Sequence, residues 1–220
     1  MALGFSSLYL WQNALGIILL IHCQLVIQAD DASKAILEEE LIYKGDVSYF
    51  KGKPYTGSIV KFHNNNKKAE TYSLKNGKLH GVWVEWNIEG QIINQAKYRN
   101  GLLNGVFIQF RSDGSREFEV TYVDGVENGP FKRWFKNGRL WVEENYFAGK
   151  LDGPSKIFYS DGRIQVQSIY QSGKKNGLEN AWYDNGKLRW EIVYEEGKIK
   201  NKLRWKSDGT PSEKKLPTIF

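Results

Sequence analysis

Residues 125–149 read GVENGPFKRWFKNGRLWVEENYFAG, and this stretch decides the fold because its pattern returns every 24 residues. An aromatic residue holds the position of Trp134 in every copy: Phe62, Trp86, Phe110, Trp134, Phe158 and Trp182. Glycines keep the same spacing at the positions of Gly125, Gly129 and Gly138, and tyrosines at that of Tyr146. A fixed period of this length indicates stacked units that bury their apolar surfaces only against their neighbours. The sequence therefore predicts a repeat array.

Each unit has the pattern of a β-hairpin. Residues 130–135 and 139–146 are strand-like, and Lys136-Asn137-Gly138 separates them as a tight turn. Asn-Gly and Asp-Gly pairs occupy the positive-φ positions of such turns with little strain. A second glycine-containing turn, at Gly149, joins each hairpin to the next. We therefore predict an all-β fold, an elongated antiparallel meander of repeated β-hairpins in a twisted single-layer or curled sheet.

Strand alternation divides the side chains between two faces. Residues two and four before the aromatic column share its face, as Val82 and Val84 do with Trp86, so we predict that this face is the core. The opposite face mixes aromatic and basic residues. Either it is a second buried surface, formed if the sheet curls or dimerises, or it binds a partner. The candidate partner-binding residues are Trp83, Phe107, Arg111, Phe131, Arg133, Phe135, Tyr159 and Tyr183.

The array does not fill the whole chain. We assign residues 49–209 to it, with residues 30–48 as an acidic N-terminal segment and 210–220 as a C-terminal tail. Within the acidic segment, residues 30–42 are the one stretch with helical character. The first unit, near Tyr49 to Tyr72, and the last, with Asn201 in place of glycine, depart from the pattern as terminal caps do.

Residues 1–29 contain no Asp, Glu, Lys or Arg and include the apolar run Ala14–Ile21. This pattern is typical of a signal peptide with cleavage after Ala29. We therefore expect an exported protein, periplasmic, secreted or associated with the cell envelope. A retained N-terminal membrane anchor and lipid attachment at Cys23 are the alternatives.

Charge is distributed unevenly along the chain. There are 31 Lys and Arg against 25 Asp and Glu, and five of the acids lie in residues 30–40, where Lys34 is the only base. The remainder carries a net charge near +10, which favours an acidic protein, anionic lipid headgroups or an acidic glycan as partner. The alternative is that these Lys and Arg residues only solubilise exposed edges and turns.

No constellation of residues predicts catalysis. The chain has three histidines and one cysteine, and no predicted helix follows any glycine in the way that a phosphate-binding loop requires. We therefore expect no enzyme activity, no cofactor and no metal site. Aromatic and basic residues together also suit single-stranded nucleic acid, but export argues against it, so no nucleic acid is expected.

Two segments carry a family resemblance: Asn76-Gly77-Lys78-Leu79-His80-Gly81-Val82-Trp83 and Tyr183-Asp184-Asn185-Gly186-Lys187-Leu188. They resemble MORN repeats in the variant form common in bacteria, and the resemblance spans residues 49–209. This chain differs from the usual MORN repeat in its 24-residue spacing and in having a His-Gly pair only at His80-Gly81. The resemblance implies successive hairpins in an elongated sheet, and roles as scaffolds, dimerising rods or membrane-apposed modules. Bacterial members are often labelled antitoxin-like.

These observations favour an exported, non-catalytic repeat protein that acts as a binding or scaffold module for a protein partner or a membrane surface. A neutralising protein of the antitoxin or immunity type is one alternative. A structural rod or dimerising scaffold, with self-association, is the other.

Overall fold

The computed structural model describes residues 35–212, and the predicted signal peptide, anchor and Cys23 lie outside them. Apart from a single 3-10 turn at Glu38–Glu40, the regular elements of this part are all β-strands. They are β1 (Ile36–Leu37), β2 (Ile42–Lys44), β3 (Val47–Phe50), β4 (Lys53–Pro54), β5 (Gly57–Phe62), β6 (Lys68–Lys75), β7 (Lys78–Leu79), β8 (Gly81–Trp86), β9 (Ile92–Arg99), β10 (Leu102–Leu103), β11 (Gly105–Phe110), β12 (Arg116–Val123), β13 (Val126–Trp134), β14 (Leu140–Phe147), β15 (Lys150–Leu151), β16 (Gly153–Phe158), β17 (Ile164–Gln171), β18 (Lys174–Lys175), β19 (Gly177–Trp182), β20 (Leu188–Glu195) and β21 (Lys198–Arg204).

The strands from β5 to β21 form one long antiparallel sheet in which neighbours in sequence are neighbours in space. Short strands such as β15 and the longer strands that follow them pair with the same partner, here β14. Strand β1 pairs in parallel with β5 at one end, and β2, β3 and β4 form a separate small sheet. The long sheet is open, and the predicted all-β meander of hairpins is confirmed.

The register fixes which side chains share a face. Trp83 lies opposite Ala96 and Gly81 opposite Tyr98, so Trp83 and Tyr98 point to the same side. We call this side the tyrosine face; it carries Tyr98, Tyr122, Tyr146, Tyr170 and Tyr194. The other side, the column face, carries Trp86, Phe110, Trp134, Phe158 and Trp182. The tyrosine column and the aromatic column are thus separated by the thickness of the sheet.

Each tyrosine of the tyrosine face lies opposite a glycine. The pairs are Gly81 with Tyr98, Gly105 with Tyr122, Gly129 with Tyr146, Gly153 with Tyr170 and Gly177 with Tyr194. Gly129 has φ +119°, and a Cβ atom there would lie 3.2 Å from Cβ of Thr121. A residue with a side chain is disfavoured at this φ, and the missing side chain leaves room for the tyrosine ring across the pair. This pairing explains why glycine and tyrosine repeat together in the sequence.

Two kinds of turn alternate along the sheet. Between hairpins both central residues have positive φ, as in Asn76 at 53° and Gly77 at 77°, which is the type I′ geometry of two-residue loops. Within most hairpins only the glycine is left-handed, and in four of them the preceding Asn or Asp side chain accepts a backbone hydrogen bond instead; in the first hairpin the left-handed residue is Asn66, with φ 64°. Asn137 Oδ1, for example, accepts from the N–H of Arg139 at 3.0 Å. The positive-φ role predicted for the Asn-Gly and Asp-Gly pairs within hairpins therefore holds for the glycine alone, whereas between hairpins both residues of the turn have positive φ.

The prediction that the aromatic column forms the core is wrong. Phe62 is 45% exposed, and the remaining members of the column are half-buried. Buried apolar residues of the long sheet lie mainly on the tyrosine face, including Ile59, Ala96, Val120 and Ile192, although Val84 on the column face is also buried, at 3% exposed. On the tyrosine face, aromatic rings of neighbouring strands pack against one another, as Phe107, Phe118 and Phe131 do, whereas apolar residues at strand starts on the column face remain exposed. Val82, Val106 and Leu178 are accordingly exposed.

The two ends of the described chain also differ from expectation. The described part of the predicted helical stretch, residues 35–42, contains strand β1 and the single 3-10 turn, because backbone pairing with β5 overrides local helix propensity. At the other end, the first residues of the predicted tail pair back onto the sheet: Pro211 bridges Trp205, and Ser212 N–H donates to Arg204 O at 2.9 Å.

Candidate functional site

The eight predicted partner-binding residues divide into two groups. Trp83, Phe107, Phe131 and Arg133 lie within strands β8, β11 and β13 on the tyrosine face. The other four, Arg111, Phe135, Tyr159 and Tyr183, directly follow strands at the start of hairpin turns. The structure therefore brings the first group together on one surface and places the second group along one edge of the sheet.

Four aromatic rings form a continuous ladder in the middle of the tyrosine face. The ring centroids of Phe107 and Phe118 are 5.8 Å apart, those of Phe118 and Phe131 are 6.1 Å apart, and those of Phe131 and Tyr146 are 6.2 Å apart. These separations are typical of favourable aromatic pairs. All four side chains are half-buried, so the ladder both joins neighbouring strands and presents part of its apolar surface outward.

A basic group borders this aromatic ladder. The guanidinium of Arg133 lies 4.8 Å from the ring centre of Trp141 and donates to Glu117 at 3.2 Å. The ring of Phe135 stacks on the same Trp141, with the two ring centroids 5.3 Å apart. The indole of Trp141 and the carboxylate of Glu117 hold the Arg133 guanidinium in a fixed orientation. The side chain of Arg133 is still 42% exposed, so a partner can reach it.

Three of the predicted residues make bonds between repeats. The side chains of Tyr159 and Tyr183 donate to the backbone carbonyls of Trp182 and Trp205, at 2.7 and 2.9 Å, and Arg111 donates to that of Trp134. Each bond joins one hairpin to the next unit along the sheet. These side chains have a structural function, and their contact with a partner stays a prediction.

Beyond the ladder, the tyrosine face becomes polar. Glu179 is 4% exposed and accepts from Ser168 Oγ at 2.8 Å, from Trp190 Nε1 at 3.1 Å and from Lys175 Nζ. Burial opposes the charge of Lys175, but its bond to Glu179 outweighs this effect and the pKa of Lys175 is raised. With three donors, the carboxylate is part of a structural network.

Burial also affects the tyrosines. It raises the pKa of Tyr146 to about 12, and the nearby carboxylate of Glu144 adds to this shift. The pKa values of Tyr98, Tyr122 and Tyr170 are raised, again chiefly by burial. These hydroxyl groups therefore remain protonated well above neutral pH.

A pocket of about 620 Å³ lies at the N-terminal end of the tyrosine face, between the small sheet and the first hairpins. Sequence reasoning missed it. The signal available was the acidic N-terminal segment next to a basic array, but only the fold shows that Glu38 and Asp46 reach Lys61 and Lys78. Trp83 is the one predicted site residue that lines this pocket.

Metal binding and membrane insertion each need a recognisable structural feature. Within residues 35–212, no group of three or more His, Cys, Asp and Glu residues is placed to hold a metal ion. The same part of the chain contains no helix that is both long and apolar enough to cross a membrane.

Comparison with known families identifies one repeat directly. Residues 127–147, which span most of β13, its turn and β14, match the MORN repeat variant. A comparison with curated proteins found no match. The matched hairpin is one of a series that recurs at 24-residue spacing with the same strand register and turns. Residues 127–147 thus match a MORN repeat variant, which confirms for this repeat the resemblance inferred from the sequence.

Proposed function

We propose that this chain is an exported, non-catalytic repeat module that binds a protein partner through the tyrosine face. The observation that carries this proposal is the aromatic ladder from Phe107 to Tyr146, half-buried and bordered by Arg133. Aromatic residues and arginine are enriched at protein interfaces, where they contribute a large share of the binding energy. The net positive charge of the chain favours a partner with an acidic surface.

Adjacent residues of β13 offer a matched test. Arg133 lies on the tyrosine face and Lys132 on the column face, and their side chains are 42% and 35% exposed. Arg133→Gln and Lys132→Gln each remove one positive charge. Binding partners are captured on the immobilised protein from an extract of the cell envelope and the culture medium, and are quantified by mass spectrometry.

We expect Arg133→Gln to reduce capture of the main partner about tenfold, the loss of one good interface contact. Lys132→Gln should leave it unchanged. Equal losses for the two variants would indicate nonspecific charge attraction and contradict the proposal. Binding to anionic lipid vesicles with no protein captured would favour a membrane surface instead.

A structural rod is the second candidate, because bonds such as those from Tyr159 and Tyr183 tie successive units together. Sedimentation and light scattering of the purified protein distinguish the two functions. Concentration-dependent end-to-end assembly without any ligand would support the rod, whereas a monomer that binds its partner with fixed stoichiometry would support the binding module.

A further inference from the structure

An apolar row crosses four neighbouring strands on the column face. It consists of Pro154 on β16, Ile169 on β17, Leu178 on β19 and Val193 on β20. Pro154 lies opposite Ile169, Leu178 lies opposite Val193, and the register between β17 and β19 places Ile169 beside Leu178. All four residues are exposed. We call them the apolar stripe.

The backbone beside the stripe leaves it uncovered. A Cβ atom at Gly177 would lie 3.6 Å from Cδ1 of Ile169, so a side chain at this position would shield Ile169, and glycine does not. Single exposed apolar residues are common on protein surfaces, whereas a contiguous exposed row is a feature of interaction sites. The stripe is therefore a candidate surface for a partner.

Three lysines border one side of the stripe. Lys150, Lys174 and Lys198 each follow the turn glycine of consecutive repeats and lie on the column face. All three are exposed, and within residues 35–212 none of them forms a salt bridge. The neighbouring acid of this row, Glu195, is paired with Lys200 at 2.5 Å. The three ammonium groups are therefore available to an acidic partner.

The spacing of the stripe fits a helix better than an extended chain. Neighbouring strands are about 4.8 Å apart and one turn of an α-helix rises about 5.4 Å, so a helix laid across the strands places one turn over each. Over the three gaps from Pro154 to Val193 the accumulated mismatch is only about 2 Å. An extended chain repeats its same-side residues about every 6.8 Å, which gives a mismatch of about 6 Å over the same gaps.

The lysines have a matching period. Consecutive repeats are two strands, or about 9.6 Å, apart, and residues i and i+7 of a helix are separated by about 10.5 Å. Acidic residues at this spacing along one flank of the helix would meet successive lysines while its apolar side covers the stripe. Residues 35–212 contain no α-helix, so this part of a second copy cannot supply such a segment.

We propose that the apolar stripe binds an acidic amphipathic helix of a protein partner. The apolar side of the helix contacts Ile169 and Leu178, and its acidic flank lies beside Lys150, Lys174 and Lys198. Docking of the apolar side of a helix on a hydrophobic surface is a recurring mode of peptide recognition. The stripe and the tyrosine face lie on opposite sides of the sheet, so this interaction is independent of the proposed function.

The probe is a synthetic peptide of about 18 residues, long enough to form an isolated helix. Leucines at i, i+4 and i+7 form its apolar side, and glutamates form one flank. A second peptide carries lysine in place of every glutamate. Each peptide is labelled with fluorescein and titrated with the full chain. We expect saturable binding of the acidic peptide, about tenfold weaker binding of the basic peptide, and a loss of affinity with added salt.

Matched variants locate the site. Ile169 and Val106 are both apolar and exposed on the column face, at 45% and 43%, but only Ile169 belongs to the stripe. Ile169→Thr should weaken binding of the acidic peptide about tenfold, whereas Val106→Thr should leave it unchanged. Lys174→Gln should weaken it severalfold and Lys132→Gln should not. Threonine is favourable in strands, and circular dichroism checks that each variant folds.

No saturable binding to the wild type, equal binding of the two peptides, or equal effects of Ile169→Thr and Val106→Thr would each overturn the proposal. Self-association of the chain that Ile169→Thr abolishes would assign the stripe to a second copy and overturn it as well. Binding to anionic lipid vesicles that the same variant abolishes would do so in favour of a membrane surface. The capture experiment with Arg133→Gln tests the other face, so the two proposals can fail separately.

Discussion

Ser168→Ala is the sharpest test of the polar network on the tyrosine face. Ser168 is 4% exposed, and its hydroxyl donates to Glu179 at 2.8 Å. A hydrogen bond to a charged group contributes about 1.5–3 kcal/mol. Because Lys175 and Trp190 still donate to Glu179 after the substitution, the lower part of this range applies. We expect the free energy of unfolding to fall by about 1.5–2 kcal/mol.

The neighbouring Ser155 provides a matched control. It lies opposite Ser168 in the register, it is 7% exposed, and its hydroxyl donates to Glu144 at 3.3 Å. This longer bond goes to a half-buried carboxylate, so Ser155→Ala should cost only about 0.5–1 kcal/mol, the usual value for a weaker hydrogen bond. The two variants remove the same atom from the same face, so the comparison isolates the contribution of Glu179.

Urea unfolding followed by far-UV circular dichroism measures both free energies, and an unchanged dependence on urea concentration confirms that the same surface is exposed on unfolding. The expected difference of about 1 kcal/mol corresponds to roughly a fivefold change in the folding equilibrium. If Ser155→Ala proved as costly as Ser168→Ala, the buried Glu179 network would not be the stabilising feature of this face.

The turns, the tyrosines and the two faces give three other predictions. Ala148 has φ 48° in a turn where Asn100 holds the equivalent position two repeats earlier, so Ala148→Asn should stabilise the fold and Asn100→Ala should destabilise it, each by about 1 kcal/mol in urea unfolding. Tyr146 keeps its proton in the folded state up to about pH 12, whereas an unfolded tyrosine loses it near pH 10, so stability is full below pH 10 and falls between these values. Tyr146→Phe should weaken this alkaline loss, as measured by thermal unfolding against pH; an unchanged loss would contradict the assignment. Trp83 and Trp134 are both half-buried, but only Trp83 packs against the buried cluster, so Trp83→Ala should cost about 3 kcal/mol and Trp134→Ala only about 1–2 kcal/mol, the reverse of what a core on the aromatic column would give.

The candidate site was predictable only in part. Alternation of side chains correctly placed Trp83, Phe107, Phe131 and Arg133 on one face, because that rule depends on strand geometry alone. It also assigned Arg111, Tyr159 and Tyr183 to that face, but it gave no information on their bonds, which reach the following unit. Partners in a neighbouring repeat become visible only when the distances between repeats are known.

The sequence by itself determined the repeat length, the hairpins, the antiparallel order and the division of side chains between two faces. These properties follow from local rules, the two-residue alternation of strands and the left-handed glycine of tight turns, which act identically in every copy. Tertiary structure alone decided which face is buried, because burial depends on how side chains of different strands cover one another. It also decided that the acidic N-terminal segment folds against the first hairpins, where Glu38 and Asp46 meet Lys61 and Lys78 and enclose the pocket.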